Sequence, residues 1–267
     1  MEISGYIASI LIGISLGMIG SGGSILTVPV LVYLMHINPL LATTSSLFIV
    51  GTTSLVGGLR AYSKNLVDFK AVTEFGIPSI VSIFITRHYI LPALPDPLFI
   101  IGKETISKDM FLMVVFAILM LGASLSMILS SQTEIQDDKI EKDSSHRALP
   151  LLLLGLFVGV ITGLLGAGGG FLIIPSLVLF LKLPMKTAVG TSLLIIAINS
   201  LLGFLFSLKQ FEYNWTILLV FTALAIVGIF IGSKLAEKIT GAYLRKGFGW
   251  FVLVMGIYII IKEVFLR

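Results

Sequence analysis

The chain has 267 residues, 57% of them hydrophobic and only 12% charged, and its mean hydropathy of +1.07 excludes a soluble globular domain. The net charge of +4 comes from basic residues standing singly at the ends of apolar runs, which suits topological anchors and excludes a nucleic-acid patch. With no cysteine, disulfides, thiolate metal sites and persulfide carriers are excluded as well.

The first apolar segment runs from Ser4 to Met35. It lacks the basic flank of a secretory signal and continues past any cleavage site, so it reads as part of the mature protein. At roughly 30 residues it is too long for one untilted crossing and too short for two. Gly17-x-x-Gly20-x-Gly22-Gly23, followed by Pro29, interrupts it. Helix that stops at membrane depth strands N–H and C=O groups, which is tolerated only around a cavity or inside protein. A new half-helix is expected at Gly22-Gly23-Ser24, presenting free N–H groups and the positive end of its dipole. Gly20, Ser21, Gly22, Gly23 and Ser24 are therefore candidate anion ligands. The competing reading is that such glycines only let helices approach closely.

Next comes "ATTSSLFIVGTTS", Ala42 to Ser54, within a span of roughly Thr43 to Leu59. Hydroxyls inside a span can bind an oxyanion without a charge of their own to desolvate, which singles out Ser45 and Ser46. They can equally bond back to the preceding turn or glue helices together. The span from Ala71 to Thr86 carries Glu74, a carboxylate near the membrane edge that is a candidate proton carrier or a snorkelling side chain. His36 and His88 flank apolar segments and read as loop or interface residues. Pro92, Pro95 and Pro97 make the stretch from Arg87 to Asp109 an expected irregular loop or shallow interfacial segment. A span from Met110 to Ser130 follows, and then the polar stretch "SSQTEIQDDKIEKDSSHR" reads as a linker.

The second half repeats the first. Gly163-x-x-Gly166-x-Gly168-Gly169, followed by Pro175, stands 146 residues after its counterpart. The same offset pairs Ala42 with Ala188, Ser46 with Ser192, Ser54 with Ser200 and Gly57 with Gly203. The expected organisation is a tandem duplication: a transmembrane repeat over 1–130, a linker over 131–148 and a second repeat over 149–267. The second copy adds Gly166, Gly168, Gly169 and Gly170 to the candidate anion ligands. Its hydroxyl stretch, "AVGTSLLIIAINS", adds Thr191, Ser192 and Asn199. Spans are expected at roughly Thr187 to Phe206, Trp215 to Gly232 and Phe248 to Ile261.

Two topologies remain. If each glycine-broken segment crosses once, the halves are parallel and the basic residues divide evenly. If it dips in and returns as a hairpin, the halves are inverted and 12 of the 18 Lys and Arg, including Arg60, Lys64, Lys182 and Lys186, share one face. That asymmetry favours the hairpin with a cytoplasmic linker and external termini. Two half-helix N-termini would then meet near the midplane, an anion site of backbone and hydroxyls with no buried cation. No metal-ligand spacing and no nucleophile–base pair is visible, so neither a metal, a cofactor nor an enzyme activity is expected.

The doubled glycine motif with its proline, and the downstream Ala188-x-Gly190-Thr191-Ser192, resemble the sulfite exporter TauE/SafE family over essentially the whole chain. The first copy departs from that pattern, with Ala42-Thr43-Thr44-Ser45-Ser46 and with Ser24 in place of the third glycine. The resemblance implies an all-α, multi-pass permease of a prokaryotic plasma membrane, moving sulfite, thiosulfate or sulfonates such as sulfoacetate. Its partners would be the small anion and the lipid bilayer, and a homodimer is expected only by analogy with other permeases. A permease for an unrelated anion, or a non-transporting scaffold or sensor, is the alternative reading.

Overall fold

The computed structural model describes residues 2–20, 23–101, 104–129, 148–236 and 241–265; the candidates Ser21 and Gly22 and nearly all of the linker lie outside them. The protein is an all-α integral membrane protein. Its first half comprises α1 (Glu2–Ile19), α2 (Ser24–Pro29), α3 (Pro39–Ser63), α4 (Phe69–Ile85), α5 (Leu91–Ala93) and α6 (Lys108–Leu129). The second comprises α7 (Ala148–Leu165), α8 (Gly170–Leu181), α9 (Met185–Ser207), α10 (Trp215–Leu235) and α11 (Gly241–Phe265). Among the described residues, five helical stretches are long and apolar enough to cross a membrane: α3, α4 with its extension to Ala93, α6, α9 and α10.

Local chemistry sets the starts. Asn38 caps α3 by accepting from Leu40 N at 2.9 Å, with Pro39 pre-set for the first turn. Asp68 caps α4 and Asn214 caps α10 in the same way, accepting from Ala71 N and Ile217 N. The starts of α1 and α7, α2 and α8, α3 and α9, and α4 and α10 all stand 146 residues apart.

Each glycine-broken segment turns back on itself. The Gly5 backbone, near the start of α1, lies against the Met35 side chain, just past a π-helical turn (Val30–Leu34) that extends α2. Inside the turn Gly23 sits against Ile12 and Leu16, and Gly169 sits against Val158 and Thr162 in the second hairpin. In both hairpins the short helix therefore folds down the side of the long one.

The halves interlock through close helix contacts at glycine. Gly51 of α3 meets Leu201 of α9, Gly58 meets Leu194, and Ala61 meets Gly190, so these two helices run antiparallel. Helices α6 and α11 are also antiparallel, with Gly249 near Ser124 and Gly256 near Ala117. By contrast α1 runs parallel to α10 (Gly13 on Ala225, Gly17 on Ile229), and α7 runs parallel to α4 (Gly159 on Ser79, Gly163 on Thr86). At these α1–α10 and α7–α4 contacts a Cβ would fall 2.0–2.7 Å from the nearest facing atoms, so only glycine permits the approach.

The polarity is that of a protein in lipid. Leu11, Phe157, Leu219 and Trp250 are exposed, whereas Thr43, Thr44, Ser46, Ser54, Thr191 and Ser200 are buried. One expectation is corrected here. Residues 87–93 are not loop: α4 runs on through a π-helical turn (Thr86–Ile90) into α5, in which Pro92 occupies an opening position. The π turn moves the hydrogen-bond ladder, with Leu91 N bonding to Thr86 O, just where the ring of Pro92 would break an ordinary one. The stretch after it holds a short antiparallel hairpin, β1 (Phe99–Ile101) with β2 (Glu104–Ile106).

Candidate functional site

The turns of the two hairpins are built on left-handed glycines. Gly20 has φ +81, and Gly166, Gly168 and Gly169 have φ between +66 and +69, a region other residues enter at a cost of roughly 1–2 kcal/mol. Gly169 caps α8 and Gly170 begins it, so the N–H groups of Gly170 and Phe171 come before the first bonds of the helix, which Leu172 N and Ile173 N make to Gly169 O at 3.0 and 3.3 Å. Gly23 occupies the matching position before α2 with ordinary right-handed angles, φ −64, and Ser24 behind it is buried.

Each turn is pressed against the hydroxyl-rich helix of the other half. A Cβ on Gly166 would lie 1.9 Å from the carbonyl oxygen of Thr43, and Ser46 Oγ donates to Gly166 O at 2.9 Å. Gly20 lies correspondingly against Val189. The structure thus brings the two predicted motifs together across the halves. Gly168 continues the contact, its Cβ position falling 3.1 Å from Val50 of α3 and 3.1 Å from Ser200 Oγ of its own half.

The other candidates divide. Thr191 Oγ1 accepts from Asp68 N at 2.9 Å and fastens the start of α4 to α9, while Ser192 Oγ donates back to Val189 O at 2.8 Å. Ser45 lines a mainly apolar cavity of about 90 Å³ with Leu41, Ile49, Tyr213 and Asn214. Asn199 donates from Nδ2 to Ser79 Oγ at 2.7 Å, but its Oδ1 is buried without a partner. Glu74 is not drawn in: it pairs with Lys70 at 3.7 Å on the partly exposed face of α4. His36 lines a separate cleft of about 400 Å³ with Tyr33, Asn38, Asp109, Lys262 and Glu263, and His88 stacks on Phe84.

Asn199 belongs to a pattern. Thr53 Oγ1, Ser54 Oγ, Asn199 Oδ1 and Ser200 Oγ are all buried and unpaired, and 53–54 and 199–200 are equivalent positions of the two halves. Ser and Thr in a helix usually bond to the preceding turn, as Thr43 and Thr222 do here, so four unpaired groups at matched sites depart from that habit.

The expectation of no buried cation is wrong. Arg87 is 0% exposed and is the largest fully buried side chain described. Because α4 continues past residue 86, Arg87 stays on the buried stripe of Ser79 and Ile83 instead of reaching the membrane edge. Its Nη1 donates to Thr44 Oγ1 at 2.8 Å, and its backbone carbonyl accepts from Gln210 Nε2 at 3.5 Å. Nε and Nη2 have no partner. Tyr213, in the connection between α9 and α10, donates to Ser207 O at 3.1 Å. Burial pushes its phenol up to about 12 against the opposing pull of Arg87, so it stays a neutral donor at neutral pH. The spacing of four residues from Ser79 through Ile83 to Arg87 is the sequence signal for this residue, usable only once the helix is known to continue.

Residues 6–259 match the family described as Sulfite exporter TauE/SafE. A probable membrane transporter protein of Xylella fastidiosa is 27% identical over 260 residues, covering 94% of this chain and 91% of its own. The probable membrane transporter protein YunE of Bacillus subtilis is 28% identical over 273 residues, covering 96% and 95%. A probable membrane transporter protein of Methanocaldococcus jannaschii is 26% identical over 270 residues, covering 94% of each. No solved structure matches. Since the family match runs through both hairpins and the hydroxyl-rich helices they touch, the chain belongs to the sulfite exporter TauE/SafE family of membrane transporters.

Proposed function

We propose that the protein is a secondary transporter carrying a small sulfur oxyanion, sulfite or an organosulfonate, across a prokaryotic plasma membrane. The observation that carries this is the set of unpaired buried polar atoms at the equivalent positions Thr53, Ser54, Asn199 and Ser200, of which Ser200 Oγ lies by the glycine turn at Gly168. A buried hydroxyl without a partner costs about 1–3 kcal/mol, and a polar solute passing between α3 and α9 gives it one. Together with Gly20, Ser21, Gly22, Gly23, Ser24, Ser45, Ser46, Gly166, Gly168, Gly169, Gly170, Thr191 and Ser192, these groups form the substrate path. The oxyanion class comes from the description of the family.

In this reading 1–130 and 149–267 are inverted repeats joined by a cytoplasmic linker. Support comes from the fold: equivalent helices α3 and α9 run antiparallel, and each hairpin returns to the side it came from, leaving three crossings per half. Transport is proton-coupled through Glu74, and Glu74→Gln is expected to abolish the effect of pH on flux while leaving downhill flux in place. Flux that keeps its pH dependence in this variant removes Glu74 from the mechanism.

The test is uptake of labelled sulfite into proteoliposomes of the purified protein, with and without an imposed pH gradient, competed by sulfoacetate, thiosulfate, sulfate and acetate. Gradient-driven uptake inhibited by sulfur anions and not by acetate is the expected result. Inhibition by acetate alone points to a permease for another anion, and no flux of any of them points to a scaffold or sensor.

A further inference from the structure

The unpaired guanidinium of Arg87 has a shape that specifies its ligand. Nη1 is used by Thr44, while Nε and Nη2, which form the side-on fork, are free. Two parallel N–H groups on that edge match two oxygens of one carboxylate, sulfonate or sulfite. Among the described residues no carboxylate lies within ion-pair distance of Arg87. A cation held this way inside a membrane protein is destabilising until an anion joins it.

Its surroundings place it at the turn of the second hairpin. Gly163, at the end of α7, packs on Thr86, the residue before Arg87, and Gly166 packs on Thr43, the residue before Thr44. The free end of α8 starts from the same turn. Ser45, the residue after Thr44, lines the cavity of about 90 Å³ with Tyr213 and Asn214. The pair does not recur at the equivalent positions of the other half: those matching Arg87 and Thr44 are Ser233 and Gly190, and Ser233 Oγ is spent on Ile229 O at 2.7 Å.

We propose that Arg87 is the anion-binding residue of the transporter, its side-on fork holding one oxyanion at the turn of the second hairpin while Thr44 fixes the guanidinium plane. This rests on the reading of the protein as an anion transporter and makes the site one-sided, with charge supplied by the first half and backbone donors by the second.

The test uses the full chain in detergent and in proteoliposomes. Thermal unfolding is followed against methanesulfonate, sulfite, acetate and the neutral analogue dimethyl sulfone, alongside anion flux. Wild type is expected to be stabilised by one or more of the anions and not by the sulfone. Arg87→Met is expected to melt at or above the wild-type temperature without anion, to lose the anion shift and to bind at least about 30-fold more weakly. Arg87→Lys, which keeps the charge but not the fork, should fall between. Thr44→Val, which leaves the fork intact but removes one charge-assisted hydrogen bond to the guanidinium, should weaken binding less than Arg87→Met, by about tenfold. An Arg87→Met protein that keeps the anion shift, melts lower than wild type or fails to fold overturns the proposal, since Arg87 is then structural. If wild-type protein neither responds to nor carries any of these anions, the transporter reading falls with it; flux that persists in Arg87→Met sinks the assignment of Arg87 alone.

Discussion

Glycine does two jobs in this chain, and they are separable residue by residue. Gly166 combines a left-handed backbone with a Cβ position 1.9 Å from the Thr43 carbonyl, which cannot retreat as a side chain would. Gly122 in α6 has nothing within 4 Å. Gly166→Ala should therefore destabilise by about 2–5 kcal/mol, from left-handed strain and overpacking, and Gly122→Ala should stay within about 1 kcal/mol of wild type. Thermal unfolding in detergent distinguishes them, and equal melting temperatures would remove the hairpin turn from the packing argument. Both glycine roles were foreseeable as types, because a glycine motif repeated in register points to backbone demands. Which glycine serves which was not, since Gly17 and Gly163, inside the motif, turn out to be helix-contact residues. Arg87 shows the converse: its burial was hidden because prolines downstream masked the end of the helix.

At the scale of the element, α3 and α9 carry the polar groups and α4 decides their company. The hydroxyls on α3 and α9 differ in what they do. Ser46 donates to Gly166 O, so Ser46→Ala should cost about 1 kcal/mol of stability. Ser54 and Ser200 have no partner, so Ser54→Ala and Ser200→Ala are expected to leave the melting temperature unchanged or raise it while lowering anion flux. Loss of stability without loss of flux in these two variants would make them ordinary helix glue. The hydroxyl-rich stretches were legible in the sequence as polar segments inside spans. Their division into paired and unpaired groups was not, because it depends on the axial register of one helix on another.

At the scale of the molecule, the two halves exchange partners: α1 lies on α10, α7 on α4, and the equivalent helices α3 and α9 cross antiparallel. A chain without native cysteine makes this topology directly testable by single-cysteine labelling. Ser63 and Lys209 are exposed, occupy equivalent positions just inside and beyond the ends of α3 and α9, and should lie on opposite faces of the membrane. Ser63→Cys and Lys209→Cys in oriented vesicles are expected to react with an impermeant thiol reagent from opposite sides. Reaction from the same side would contradict an inverted arrangement.

Composition alone placed the chain in a membrane, and the 146-residue repeat, the glycine motif and the hydroxyl stretches followed from it without coordinates. Those features are local: hydropathy, helix breaking and residue spacing act within a turn or two of the chain. Tertiary structure decided what no local property encodes. It set Gly166 on Thr43 across the halves, left Thr53, Ser54, Asn199 and Ser200 without partners, and enclosed Arg87 beside Thr44. Each of these depends on which helix faces which, and in lipid that choice comes from close backbone contact rather than from hydrophobicity, because the lipid chains are as apolar as the helix surfaces.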